Sequence, residues 1–125
     1  MQKIAIIEDD SVIAEMYRMK FELEGFDVEV ASDGRLGVQM VEEISPDLIL
    51  MDLQMPEMGG AEALGIIRAQ EWGRDVPVLI LTNTGEEEAP DSLHELRVES
   101  YIVKAELTPS KVVERAKEVL AKYKK

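Results

Sequence analysis

The sequence has no cysteine among its 125 residues, which excludes disulfides, thiolate metal sites and a cysteine nucleophile. No apolar run approaches the roughly 18 residues of a membrane-spanning helix. No signal peptide precedes Lys3, so a cytoplasmic protein with no membrane contact is expected. No G-x-x-x-x-G-K-[ST] segment occurs, which removes the P-loop enzymes. Repeats, low-complexity segments and linkers are also missing. Basic residues are the minority, 14 against 26 acidic ones, for a net charge of -12. That balance argues against direct nucleic-acid binding by the bulk surface.

What remains is the composition of an ordinary folded domain, 46% hydrophobic and 32% charged. The length suits a single domain over residues 1–125 with one real core. Charge is unevenly placed. From Thr108 onward there are six basic residues (Lys111, Arg115, Lys117, Lys122, Lys124, Lys125) against Glu114 and Glu118, leaving 8 basic and 24 acidic residues elsewhere. Those cations suit the C-terminal dipole end of a solvated helix.

Apolar runs alternate with helical spacing. Lys3-Ile4-Ala5-Ile6-Ile7 reads as a buried strand, running into Glu8-Asp9-Asp10-Ser11. Ser11 or Asp10 caps a helix whose apolar face is expected from Val12, Met16, Met19, Phe21 and Leu23, ending at Gly25. Asp27–Ala31 alternates, as an edge strand does. Leu36, Val38, Met40, Val41 and Ile44 mark a second helix, stopped before Pro46. Asp47-Leu48-Ile49-Leu50-Met51 is continuously apolar and delivers Asp52 to a strand end; Pro56 and Gly59-Gly60 then turn the chain. A helix from about Gly60 to Glu71 follows, with Ala61, Leu64, Ile67 and Ala69 recurring at helical spacing, closed by Trp72-Gly73. Pro77–Thr82 is the fourth strand, Glu86 to Leu96 a weaker helix, Ser100–Lys104 the fifth strand, and Thr108-Pro109 caps the last helix. The single histidine, His94, reads as a surface residue of the weak helix. Five strands and five helices in alternation predict an α/β fold, a doubly wound five-stranded parallel sheet flanked by five helices.

Each apolar strand ends in a polar group on one edge: Glu8-Asp9-Asp10, Asp52, Thr82 and Lys104. In such sheets ligands bind outside the carboxyl strand ends, so four polar ends converging there describe a site. Crowded carboxylates resist ionisation unless a cation joins them. An all-oxygen donor set selects a hard ion, Mg²⁺ or Mn²⁺. A carboxylate beside such an ion is a nucleophile toward phosphorus, with Lys104 and Thr82 as donors to the phosphoryl oxygens.

These residues resemble the response-regulator receiver domain of two-component signalling, the CheY-like superfamily with its flavodoxin-like fold. The resemblance covers the whole chain. It is carried by Ile7-Glu8-Asp9-Asp10, by Met51-Asp52-Leu53-Gln54-Met55-Pro56, by Leu81-Thr82 and by Tyr101-Ile102-Val103-Lys104. The intervals match as well: Asp52 lies 43 positions after Asp9, Thr82 a further 30, and Lys104 lies 52 after Asp52. The resemblance implies a response regulator without an output domain, phosphorylated on Asp52 by a histidine kinase or phosphotransfer protein. Asp9 would bind Mg²⁺ directly, Glu8 mostly through water, Asp52 also, and Gln54 through its backbone carbonyl. Lys104 pairs with Asp52 and then with the phosphoryl oxygen. Thr82 and Tyr101 act as switch residues, signalling to an unknown output protein through the face of the fourth helix, fifth strand and fifth helix. The chain would catalyse only its own phosphorylation and dephosphorylation.

Asp10, Met55, Asn83, Thr84 and Ala105 are placed around the site as modulators, Asp10 chiefly as a helix cap. Ala105 stands where the family usually has proline after a cis bond, so a trans Lys104–Ala105 bond is expected, a non-proline cis bond costing about 3–4 kcal/mol. Two other readings stay open. One is a pseudo-receiver that binds partners without phosphorylation. The other is an aspartyl-phosphate phosphohydrolase, disfavoured because the acid/base position two residues after the nucleophile is Gln54.

Overall fold

The apolar runs read from the sequence are strands, and the central ones are buried on both faces. The computed structural model describes residues 2–55, 57–82, 96–104 and 108–123. Strands β1 (Lys3–Ile7), β2 (Asp27–Ala31), β3 (Leu48–Asp52), β4 (Val78–Thr82) and β5 (Ser100–Val103) form one parallel sheet ordered β2-β1-β3-β4-β5. All five residues of β3 and of β4 are buried, as an interior parallel strand requires. The alternating β2 is an edge strand.

Strand alternation divides the core in two. Ile4, Ile6, Leu48, Leu50, Leu79, Leu81 and Ile102 pack under helix α1 (Ser11–Leu23) and the C-terminal helix (Pro109–Lys122). Ala5, Ile7, Ile49, Met51, Val78 and Ile80 pack under α2 (Gly34–Ile44) and α3 (Gly60–Arg68). Caps set three of the helix starts: Asp10 accepts from Val12 and Ile13, Asp33 from Leu36, and Thr108 from Lys111. Gly25, at φ 94, follows the end of α1. The basic C-terminal helix pairs part of its charge with acids of other elements at the surface, Lys117 with Glu24 at 2.5 Å and Lys122 with Glu99 at 2.7 Å.

Three sequence expectations are corrected. The buried face of α1 is Ala14, Tyr17 and Phe21, with Ile13 partly buried. Val12, Met16, Met19 and Leu23 are 42–76% exposed on the opposite side. The helix carries apolar residues at helical spacing in two phases, and only the phase containing the two aromatic rings fills the space beside the sheet. Leu36 of α2 is likewise exposed. Helix α3 stops at Arg68, and a short 3-10 turn, Glu71–Gly73, replaces its expected last turn. There Gly73 lies so close to Ile67 that a Cβ would meet the Ile67 carbonyl oxygen at 2.4 Å, a fit that brings the chain back against the helix. The expected helix Glu86 to Leu96, with Pro90 and His94, lies outside the described residues except for Leu96. So do Asn83, Thr84, Ala105 and the Lys104–Ala105 bond.

The two faces of α1 make a direct test. Phe21 is fully buried and meets Phe26 edge-on, with ring centroids 5.6 Å apart. Phe21→Ala is expected to lower the free energy of unfolding by about 3–5 kcal/mol, and Met19→Ala by less than about 0.5 kcal/mol. Urea denaturation of the two variants checks this; equal losses would refute the assignment of faces.

Candidate functional site

Among the described residues, the buried side chains that are polar or charged are Glu8 (1% exposed), Asp52 (4%) and Thr82 (3%). All three stand at carboxyl ends of strands. The register explains why. Ile7 pairs with Met51, Asp52 with Leu81, and Thr82 with Val103, so the residues at or just past each strand end share one edge. Lys104 continues that edge, its backbone N–H donating to the Thr82 carbonyl at 2.9 Å. The strand order reverses between β1 and β3, and Glu8 and Asp52 flank that switch point, where open α/β sheets bind ligands.

The side chains form a compact charged cluster. Lys104 Nζ lies 2.9 Å from Glu8 Oε1 and 3.2 Å from Asp52 Oδ1. Carboxylate oxygens of Glu8, Asp9 and Asp52 all fall within 4.8 Å of one another. Asp10 is turned away, its carboxylate capping α1 while its N–H donates to Glu8 Oε2 at 3.1 Å. It is the helix cap that the sequence suggested. Gln54 is exposed and Met55 partly buried in the loop after β3; Tyr101 is half-buried on β5, packed against the core under α2 and α3.

Burial and crowding set the protonation equilibria. Desolvation raises the Glu8 pKa from 4.5 to about 7, with the nearby Asp52 charge adding to it and Lys104 and the Asp10 N–H opposing. Desolvation also raises Asp52, against the pull of Lys104. Burial works against the Lys104 charge, yet Glu8 and Asp52 outweigh it and hold the ammonium above its ordinary value. The cluster therefore holds more negative charge than one ammonium can match.

Sequence reasoning missed Tyr17. It is buried in the core on α1, and burial raises its hydroxyl pKa, with the Glu8 charge adding to the rise and Lys104 opposing it. The signal was present in the 14-17-21 spacing of α1, which the longer apolar side chains of the outer phase obscured.

The donors that could hold a metal are all oxygens, with no imidazole or thiolate, which fits a hard divalent ion. Such an ion would also relieve the two carboxylates whose ionisation burial disfavours.

Comparison with known proteins bears on the family and the fold. Residues 4–117 match the family model described as Response regulator receiver domain. The DNA-binding dual master transcriptional regulator RpaA of a Synechocystis species is 37% identical over 86 residues, which cover 69% of this chain and 36% of that protein. The chain thus spans about a third of the length of such curated relatives. Among solved structures, the chemotaxis protein CheY4 of Vibrio cholerae superposes with a TM-score of 0.88 at 26% identity, covering 95% of this chain and 98% of that one. The receiver domain of the sensor histidine kinase PA1611 from Pseudomonas aeruginosa superposes with a TM-score of 0.86 at 27% identity, covering 96% and 98%, and that protein is described with a magnesium ion coordinated in its active-site cleft.

The raised Glu8 pKa gives a pH prediction. A carboxyl that binds its proton more tightly folded than unfolded costs stability progressively as pH rises from about 4.5 to 7. In EDTA, Glu8→Gln removes that loss. Its stability relative to wild type should rise by on the order of 2 kcal/mol between about pH 5 and pH 8. Urea unfolding at both pH values reads this, and a gap that stays constant would contradict the desolvation account.

Proposed function

The chain belongs to the response regulator receiver domain family, and from that premise we propose that Asp52 is a phosphoacceptor which switches the domain's contact with a protein partner. The observation that carries this reading is that, among the described residues, the side chains classed as buried and polar or charged are Glu8, Asp52 and Thr82, beside Lys104. Buried charged side chains gathered on one sheet edge cost stability that packing does not return, which is a functional arrangement more than a packing one.

In the proposed reaction an Asp52 Oδ attacks the phosphorus of a phosphohistidine, supplied by a histidine kinase or a phosphotransfer protein. The P–O bond forms as the P–N bond breaks, and the electron pair leaves with the imidazole nitrogen, which takes up a proton. Glu8, Asp9, Asp52 and the Gln54 backbone carbonyl would hold Mg²⁺, or Mn²⁺ in its place. The bound ion would neutralise the crowded carboxylates and the developing charge on the phosphoryl oxygens. Lys104 releases Asp52 and moves to a phosphoryl oxygen, where its ammonium opposes the same charge. Thr82 offers its hydroxyl to another oxygen.

Phosphorylation thereby replaces a carboxylate with a larger dianion at the end of β3, beside the ends of β4 and β5. Thr82 on β4 and Tyr101 on β5 are the side chains through which that change would reach the face of β5, the C-terminal helix and the helix expected over Glu86 to Leu96, which lies outside the described residues but for Leu96. The output is protein–protein contact, consistent with a chain of net charge -12. DNA binding, named for RpaA as a whole protein, is not assigned to these residues. A cytoplasmic location accompanies this reading, and among the described residues no helix is long and apolar enough to cross a membrane.

The test is intact mass after incubation with acetyl phosphate. Wild type is expected to gain one phosphoryl group with Mg²⁺ and none in EDTA, and Asp52→Ala to gain none in either. An adduct that persists in Asp52→Ala would identify a different nucleophile. No adduct in wild type would overturn phosphoacceptance and leave a pseudo-receiver.

A further inference from the structure

We propose that Gly34, on helix α2, is a positioning residue for the Asp52 site: it seats the loop after β3 so that the Gln54 carbonyl meets the metal. The proposal rests on the reading that this carbonyl is a ligand, and it adds a residue from an element outside the charged cluster.

The loop that carries Gln54 and Met55 is held at both ends. At its far end the Gly60 N–H donates to the Leu53 carbonyl at 2.8 Å, folding the start of α3 back on the end of β3. Gly60 has no room for a side chain, since a Cβ there would meet the Asp52 carbonyl oxygen at 2.4 Å. Between these anchors the backbone turns through Glu57 at φ 66, a left-handed conformation a non-glycine residue keeps only when its surroundings impose it. The imposing contact comes from α2. The Gly34 N–H donates to the Met58 carbonyl at 3.1 Å, one residue after Glu57.

Gly34 is buried at the first position of α2, and its φ is not left-handed, so backbone conformation does not require glycine there. Space does. A Cβ on residue 34 would meet the Met58 carbonyl oxygen at 2.3 Å, its carbon at 3.0 Å and the Met58 Cβ at 3.0 Å. The nearest of these is backbone, so the loop itself would have to move. The donor is also one of the N–H groups at a helix start that have no partner within the helix. Helix α2 therefore uses its first N–H, in place of a second side-chain cap, to hold the loop four residues beyond Gln54.

Two kinds of measurement separate positioning from mere folding. The first compares Gly34→Ala with Gly65→Ala, which makes the same change inside helix α3 where nothing lies within 4 Å. Titration calorimetry with Mg²⁺ alone should show affinity weakened about tenfold or more in Gly34→Ala, as for other residues that orient metal ligands, and unchanged in Gly65→Ala. Phosphorylation by acetyl phosphate should recover in Gly34→Ala as Mg²⁺ is raised, because the nucleophile itself is untouched. The second uses wild type only and does not depend on the variant folding. Binding and loop seating are coupled reciprocally, so Mg²⁺ should slow amide hydrogen exchange at Gly34 while leaving Leu36, bonded to Asp33, unchanged. Wild-type Mg²⁺ affinity in a folded Gly34→Ala, or exchange at Gly34 indifferent to Mg²⁺, overturns the proposal. If Mg²⁺ binds but no phosphoryl group is accepted by wild type, the reading of the function fails and the positioning role stands.

Discussion

Two carboxylates, Glu8 and Asp52, are held out of water against a single ammonium, Lys104, and much of the structure serves that arrangement. A buried charge is tolerated only when paired, and one cation between two anions leaves the pairing incomplete. The sheet is what makes the arrangement possible. Strands β3 and β4 are apolar up to their last residues and buried throughout, so the polar groups that end them cannot slide inward without losing the core. The parallel register then brings the ends of β1, β3, β4 and β5 to one edge. Burial raises both carboxylate pKa values, Lys104 offsetting it only in part, and the arrangement leaves a deficit of positive charge at the switch point of the fold.

Much of this was legible in the residues themselves. A run such as Leu48-Ile49-Leu50-Met51 has one physical use in a chain of this length, and the polar residue that ends it marks the sheet edge. The order of such runs, each followed by a helical segment, determines handedness and hence topology. The faces of α1 were not legible, because Val12, Met16, Met19 and Leu23 obey the same helical period as Ala14, Tyr17 and Phe21. Summed hydrophobicity favoured the outer set. What decided was shape: a small residue and two aromatic rings fit between helix and sheet. The end of α3 was equally hidden, since it depends on the backbone of Gly73 meeting Ile67.

Glycine contacts were illegible for a related reason. Gly34 follows Asp33, the cap of α2, but its requirement for glycine arises from Met58, distant in sequence. A residue chosen for the absence of a side chain leaves no pattern along its own helix. Only the partner backbone shows what the missing Cβ makes room for.

The opposite end of the sheet shows what a completed charge arrangement looks like. The half-buried Arg68 guanidinium donates to the carbonyls of Leu96, Gly73, Val76 and Arg97, at 2.8, 3.0, 2.6 and 3.2 Å. Burial lowers its pKa, but dipoles surround it and no further ion is needed. That clamp joins the end of α3 to the chain leading into β5, including Arg97 at φ 58, and so anchors the strand whose other end carries Lys104. One end of the domain is therefore closed by a cation among neutral acceptors. The other is left open by anions with too few cations. A ligand of positive charge is favoured at the second end, and a phosphoryl group on Asp52, as proposed, would act against a strand whose far end is already fixed.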